Sequence, residues 1–126
     1  MLTQEEGEGP KPNTGDKVGT YYVGYLTDGT VFDTNMEDKA KELGIFNEQR
    51  AAQGGYGSFP ADYSNDAPMI AGFKEGLQKM KVGDRALLFI PSHLGYGERG
   101  GGRVIPPNSD LIFELYIEKI MPKEAE

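Results

Sequence analysis

The clearest periodic signal lies near the end of the chain, where Leu111, Phe113, Leu115 and Ile117 occupy every second position of DLIFELYIEKI, residues 110–120. Alternation of period two belongs to a strand with one buried face. KVGTYYVGYL at residues 17–26, rich in β-branched and aromatic side chains, and the apolar run RALLFIP at residues 85–91 predict two more strands. The run at 17–26 leads into Thr27-Asp28-Gly29-Thr30 and returns as Val31-Phe32-Asp33. Asp-Gly between such runs predicts a hairpin, since glycine takes the positive φ that a tight turn needs.

The period changes to that of a helix over residues 68–80, PMIAGFKEGLQKM, where Phe73, Leu77 and Met80 share one face. Pro68 near its start, Glu75 early, Lys79 and Lys81 late, and Gly83 beyond its end suit helix capping and polarity. This is the main helix. Two shorter ones are expected before it. Thr34 or Asn35 caps a helix over residues 36–43 that stops at Gly44, and a turn over 48–52 ends at Gly54-Gly55. Residues 55–66 are irregular but aromatic, with Tyr56, Phe59 and Tyr63. Residues 1–15 read as a flexible lead-in, with Glu5, Glu6 and Glu8 in a disordered acidic stretch. Several strands and one main helix, without βαβ alternation, predict an α+β fold in which an antiparallel sheet carries the helix across one face. One domain spans residues 1–126, with an insert at 34–67 between the hairpin and the main helix.

Composition narrows the chemistry. The 126 residues include 20 acidic and 13 basic side chains, for a net charge of -7, so nucleic acid and anionic lipid are poor partners. There are no cysteines and His93 is the only histidine, which removes thiolate chemistry and histidine-rich metal sites. No cofactor and no metal is implied. No apolar run approaches a membrane span, and no cationic-then-apolar leader follows Met1. The expectation is a soluble monomer, cytoplasmic or, had a leader been removed ahead of Met1, exported.

The segment at 95–114, GYGERGGGRVIPPNSDLIFE, carries the most functional information. It places Tyr96 beside a glycine-rich loop, follows it with the stiff apolar lip Val104-Ile105-Pro106-Pro107, and then enters the strand that holds Phe113. Such a surface suits an uncharged ring, such as a prolyl side chain. Its first six residues match G-x-G-x-x-G, but that motif binds dinucleotides only when it opens a helix, and more glycine and two prolines follow here. Tyr96, Tyr22, Phe32, Phe73 and Phe113, taken singly, are equally ordinary core aromatics. Only in combination with the lip do they point to a ligand pocket.

Three strings, YYVGYLTDGTVFD at 21–33, MIAGFKEGLQKMKVGDRALLFIP at 69–91 and LGYGERGGGRVIPPNSDLIFEL at 94–115, resemble the FKBP-type peptidyl-prolyl cis/trans isomerases in content and order. The insert is similar to those of bacterial members. The resemblance implies a half-open antiparallel sheet wrapped around one short helix, with the substrate proline held between them. Phe73 is then the pocket floor, where many members carry tryptophan, and the smaller ring implies a looser floor. Tyr22, Phe32, Met69, Ile105 and Phe113 are its walls. The Ile70 N–H and the Tyr96 hydroxyl bond substrate or macrolide carbonyls, and Asp33 accepts from a ligand hydroxyl at the rim. A further wall aromatic is Phe59, Tyr56 or Tyr63, with Phe59 favoured. Arg103 lies where it could influence the residue before proline.

The partners so implied are proline-containing polypeptides, with macrolides as candidate ligands. A competing reading uses the same fold as a chaperone or docking module, with Leu43, Ile45 and Phe46 of the insert gripping unfolded clients. The bland version of that reading has Ile45 and Phe46 merely anchoring the insert.

Overall fold

Every strand of the computed structural model, which describes residues 2–64, 69–101 and 105–121, joins one antiparallel sheet. The strands are β1 (Leu2–Glu5), β2 (Lys17–Leu26), β3 (Val31–Thr34), β4 (Phe59–Asp62), β5 (Arg85–Ile90) and β6 (Leu111–Ile120). Their order is β1-β5-β6-β2-β3, with β4 also paired to β2. The helices are α1 (Glu37–Glu42), α2 (Glu48–Ala52) and α3 (Ala71–Leu77). This is the half-open α+β architecture expected, with α3 laid on the concave face.

The period-two reading of β6 holds residue by residue. Leu111, Phe113, Leu115 and Ile117 are buried, and their neighbours Ile112, Glu114, Tyr116 and Glu118 are half-buried on the other face. Phe73, Leu77 and Met80 of the α3 segment meet that buried row together with Leu88 and Ile90 of β5. Two glycines one helical turn apart let the helix approach closely. A β-carbon on Gly72 would lie 2.5 Å from Ile90 Cγ2, and one on Gly76 would collide with Leu88 Cδ1. The helix is shorter than residues 68–80, and Pro68 lies outside the described residues. The chain tightens after Leu77, where Lys79 and Met80 donate three residues back to Gly76 and Leu77, yet Met80 stays fully buried.

Two parts of the sequence reading are corrected. Residues 2–15 of the expected loose lead-in are ordered against the sheet, since β1 pairs antiparallel with the outer edge of β5. Beyond it, Gly7 N–H donates to Asp84 Oδ1 at 2.7 Å, and Gly9 and Pro10 exchange backbone bonds with Val82. Glu6, read as part of a disordered acidic run, pairs with Lys81 at 3.0 Å. The second correction concerns the insert. Residues 59–62, read as irregular, form β4 against the first half of β2, while β3 pairs with the second half. The chain therefore leaves the edge of β2 only between residues 35 and 58.

A single side chain closes the gap so created. Asn35, 2% exposed, accepts from Tyr22 N–H at 2.8 Å and donates to Thr20 O at 2.8 Å and Gly57 O at 2.9 Å. Its amide stands in for the missing peptide of the edge strand, satisfying ladder groups that neither β3 nor β4 reaches. Neither predicted cap is used as expected. Met36 is the N-cap of α1 and has no side-chain cap bond, Asn35 being committed to the sheet. Asn47 does cap α2, accepting from Arg50 N–H at 3.0 Å.

Candidate active site

The open end of the sheet, near the start of α3, gathers four aromatic rings. Phe73, in the first turn of α3, meets Phe113 of β6 edge to face, with centroids 5.5 Å apart and planes at 88°. Phe32 of β3 meets the same Phe113 at 5.5 Å and 86°. Tyr22 of β2 lies 6.3 Å from both Phe73 and Phe113. Edge-to-face contacts of this kind set the positive edge of one ring against the negative face of another. Local sequence makes room for them, because a β-carbon on Gly24 would lie 2.6 Å from Phe32 Cζ. Phe73 and Phe113 are each 5% exposed, whereas Tyr22 and Phe32 are half-buried. The former belong to the buried core, and the latter pack against it partly exposed.

Ile105 is buried in the same cluster, and Met69 and Ile70 pack against it. Ile105 bridges antiparallel to Gly101, with N–H to O distances of 2.9 and 3.1 Å. Val104 of the expected lip and Arg103 lie outside the described residues. Tyr96 stands beside this bridge. A β-carbon on Gly101 would lie 3.0 Å from Ile105 Cδ1 and 3.4 Å from Tyr96 Cδ1, so both side chains flank one glycine. Tyr96 is 38% exposed, and among the described residues its hydroxyl has no hydrogen-bond partner. Burial, followed by the charge of Asp33, pushes its phenol above the ordinary value. The Ile70 N–H, at the N-cap of α3, also bonds no described residue.

Asp33 is less available than expected. Its Oδ2 accepts from the Tyr22 hydroxyl at 2.6 Å, and its Oδ1 accepts from Arg50 Nη1 at 2.7 Å. Burial, then the Asp33 carboxylate, holds the Tyr22 proton well above the usual phenol range. Arg50 is the site residue the sequence reading missed. It is a lone arginine in a short helix, and no spacing rule points from it to a carboxylate seventeen residues earlier. Phe59 lies on β4 opposite Thr20 of β2. Of its alternatives, Tyr56 lies under Arg50, and Tyr63 is buried with its hydroxyl 2.6 and 2.9 Å from Gln78 O and Met80 O, which share its one proton. Neither is in ring contact with the four-ring cluster among the described residues.

Residues 9–118 match the family model of the FKBP-type peptidyl-prolyl cis-trans isomerases. The chain is 39% identical to FK506-binding protein 1 of Dictyostelium discoideum, over 88% of this chain and 87% of that one. It is 38% identical to the FKBP-type 22 kDa peptidyl-prolyl cis-trans isomerase of Escherichia coli, over 92% of this chain and 47% of that protein. It therefore spans about half of some relatives and nearly all of others. Among solved structures it resembles a peptidyl-prolyl cis-trans isomerase from Pseudomonas syringae, with a TM-score of 0.66 and 29% identity over 95% of this chain and 73% of that one. The three FKBP domains of wheat FKBP73 give 0.73 and 27% identity, over 96% of this chain and 45% of that one.

Proposed function

This chain belongs to the FKBP-type peptidyl-prolyl cis-trans isomerases, and we propose that its X-Pro substrate rotates over the Phe73 and Phe113 rings, between Tyr22, Phe32, Met69 and Ile105. The observation that carries this reading is the cluster of edge-on rings beside two uncommitted donors, the Tyr96 hydroxyl and the Ile70 N–H.

The amide before proline rotates slowly because resonance stiffens its C–N bond, with a barrier of ~18–20 kcal/mol. Rotation breaks no covalent bond. The twisted carbonyl has lost conjugation and is less polar than the planar one, so transfer from water to an apolar surface favours the transition state relative to the ground state. Donors from Tyr96 and Ile70 hold the peptide on either side of the rotating bond, which supplies orientation. Both tyrosine protons stay in place near neutrality, since the phenols of Tyr22 and Tyr96 are shifted upward. The chemistry asks for no acid, base or metal.

The substrates are proline-containing polypeptides, and FK506-type macrolides, named for several relatives, occupy the same surface. Asp33 serves as a rim acceptor that a ligand hydroxyl must share with Tyr22 and Arg50. The domain acts as a monomer, with residues 35–58 carried on the edge of the sheet. A proline isomerisation assay on a tetrapeptide, with and without FK506, tests the proposal. Turnover abolished by the macrolide is the expected result, and turnover untouched by saturating macrolide places the reaction elsewhere.

A second reading has one observation in its favour. Leu43 and Ile45 are 41% and 38% exposed, although Phe46 is stacked on Tyr56 at 5.4 Å. These two side chains are the place where the insert would hold an unfolded client. Leu43→Ser with Ile45→Ser should then lose suppression of aggregation while peptide isomerisation is unchanged.

A further inference from the structure

The Tyr96 hydroxyl bonds no described residue, so the donor is aimed by the backbone that carries its ring. That backbone, residues 92–100, runs between the end of β5 and the bridge from Gly101 to Ile105. Among the described residues it is tied to the stretch after Ile105 at two points. At one end Ser92 N–H donates to Asp110 Oδ1 at 2.9 Å, and one residue beyond Tyr96 the Gly97 carbonyl accepts from Asn108 N–H at 2.8 Å. The second tie has an unusual donor. Asn108 has a φ of 60°, the only positive value among the described residues other than glycine. Local sequence explains it, because Pro107 followed by Asn108 suits the two central positions of a type II turn, the second of which needs a positive φ. Ser109 closes the turn by donating from Oγ to Pro106 O at 2.7 Å. The Asn108 side chain is exposed and hydrogen-bonds no described residue. What the residue supplies is a backbone direction.

We propose that Asn108 is a positioning residue of the isomerase site, its left-handed backbone aiming an N–H at Gly97 O and so fixing the loop from which Tyr96 offers its hydroxyl to the substrate. The inference rests on the reading of that hydroxyl as a substrate donor. A donor contributes orientation only if it is already in place when the peptide arrives. Tyr96 has no partner of its own among the described residues, so the loop must hold it. The turn closely follows Ile105, which ties the donor and a wall of the pocket into one unit. A residue with a β-carbon resists the left-handed region, asparagine and aspartate least and β-branched side chains most. Backbone held there persists only where its surroundings over-determine it. Asn108 does not touch the rotating bond. It acts through Tyr96, so its effect depends on the tyrosine hydroxyl.

The test measures kcat/KM for an X-Pro peptide, and the melting temperature, in the full chain and in Asn108→Gly, Asn108→Asp and Asn108→Val, each with Tyr96 intact and on a Tyr96→Phe background. With Tyr96 intact, Asn108→Val should lower kcat/KM about fivefold. The glycine and aspartate variants, which share little besides tolerance of a positive φ, should stay within about twofold of the parent. On the Tyr96→Phe background Asn108→Val should change kcat/KM by less than about twofold, because the two residues act as one unit. Asn108→Gly as impaired as Asn108→Val overturns the inference, since the side chain and not the backbone conformation would then matter. A full fivefold effect on the Tyr96→Phe background also overturns it. So does a lower melting temperature with kcat/KM unmoved, which is a purely structural role. A wild-type chain that turns over no X-Pro peptide removes the isomerase reading itself, whereas an active wild type with an indifferent Asn108→Val removes only this step.

Discussion

The floor and the rim of the aromatic site are built in opposite ways. The floor, Phe73 and Phe113, comes from α3 and β6, is dry, and is continuous with the main core through Leu77, Leu115 and Ile105. The rim, Tyr22, Asp33 and Arg50, comes from β2, β3 and the excursion between β3 and β4, and is held by charge and hydrogen bonds at partly exposed side chains. On the proposed function one set of rings serves both substrate and core, so substitutions in the floor should change chemistry and stability together. Those in the rim separate binding from folding.

The largest effect belongs to the floor. Phe113→Ala should cost about 3–5 kcal/mol of stability, read by denaturant unfolding. It should also lower kcat/KM strongly in whatever fraction remains folded. Equal activity per folded molecule would detach the floor from catalysis. Next comes the joint between the two regions. Asn35→Ala leaves the Tyr22 N–H, the buried Thr20 carbonyl and the half-buried Gly57 carbonyl without this partner. It should cost about 2–4 kcal/mol, given about 1–3 for each buried group left unsatisfied and partial repair by water. Its melting curve checks this, and a change under about 0.5 kcal/mol, the range of ordinary surface substitutions, would show that the amide is not part of the sheet.

Tyr96→Phe sharpens the contrast, since it removes a hydroxyl that bonds no partner among the described residues. Stability should stay within about 0.5 kcal/mol, while kcat/KM falls by about tenfold, the worth of one oriented hydrogen bond. The smallest effect lies outside both regions, at Asp84. Burial acts to raise its carboxyl, but the N–H groups of Gly7 and Lys81 and the Lys81 ammonium outweigh burial and hold it below the ordinary value. Its stabilisation is thus complete above the unfolded value of about 3.9 and is lost as pH falls through the lower folded one. Asp84→Asn should flatten the acid limb of the stability curve, and an unchanged limb would deny the role.

Much of the floor was legible in the sequence, because a strand buried on one face must alternate and a short helix on a sheet must present Phe73, Leu77 and Met80 together. The hairpin at Asp28-Gly29 was legible for a similar reason, as the Gly29 φ of 91° is a local demand. β1 and β4 were not. Residues 2–5, Leu-Thr-Gln-Glu, show no apolar alternation, and pair because β5 leaves an edge open. A proline at residue 60 is foreign to a central strand, but β4 pairs on one side alone, where a missing N–H is tolerated. At the rim Tyr22 and Asp33 were legible but what holds them was not, because Asn35 and Arg50 act across the fold, and their partners are set by where the chain returns to the sheet. Sequence spacing carries no trace of that.

The central claim is that rotation is eased over a dry aromatic surface with no proton transferred. The measurement that tests it most directly is kcat/KM for an X-Pro peptide between pH 6 and pH 8. A profile flat to within about twofold is predicted, since the site phenols remain protonated across that range and no general acid or base is used. A bell-shaped profile centred there would contradict the account.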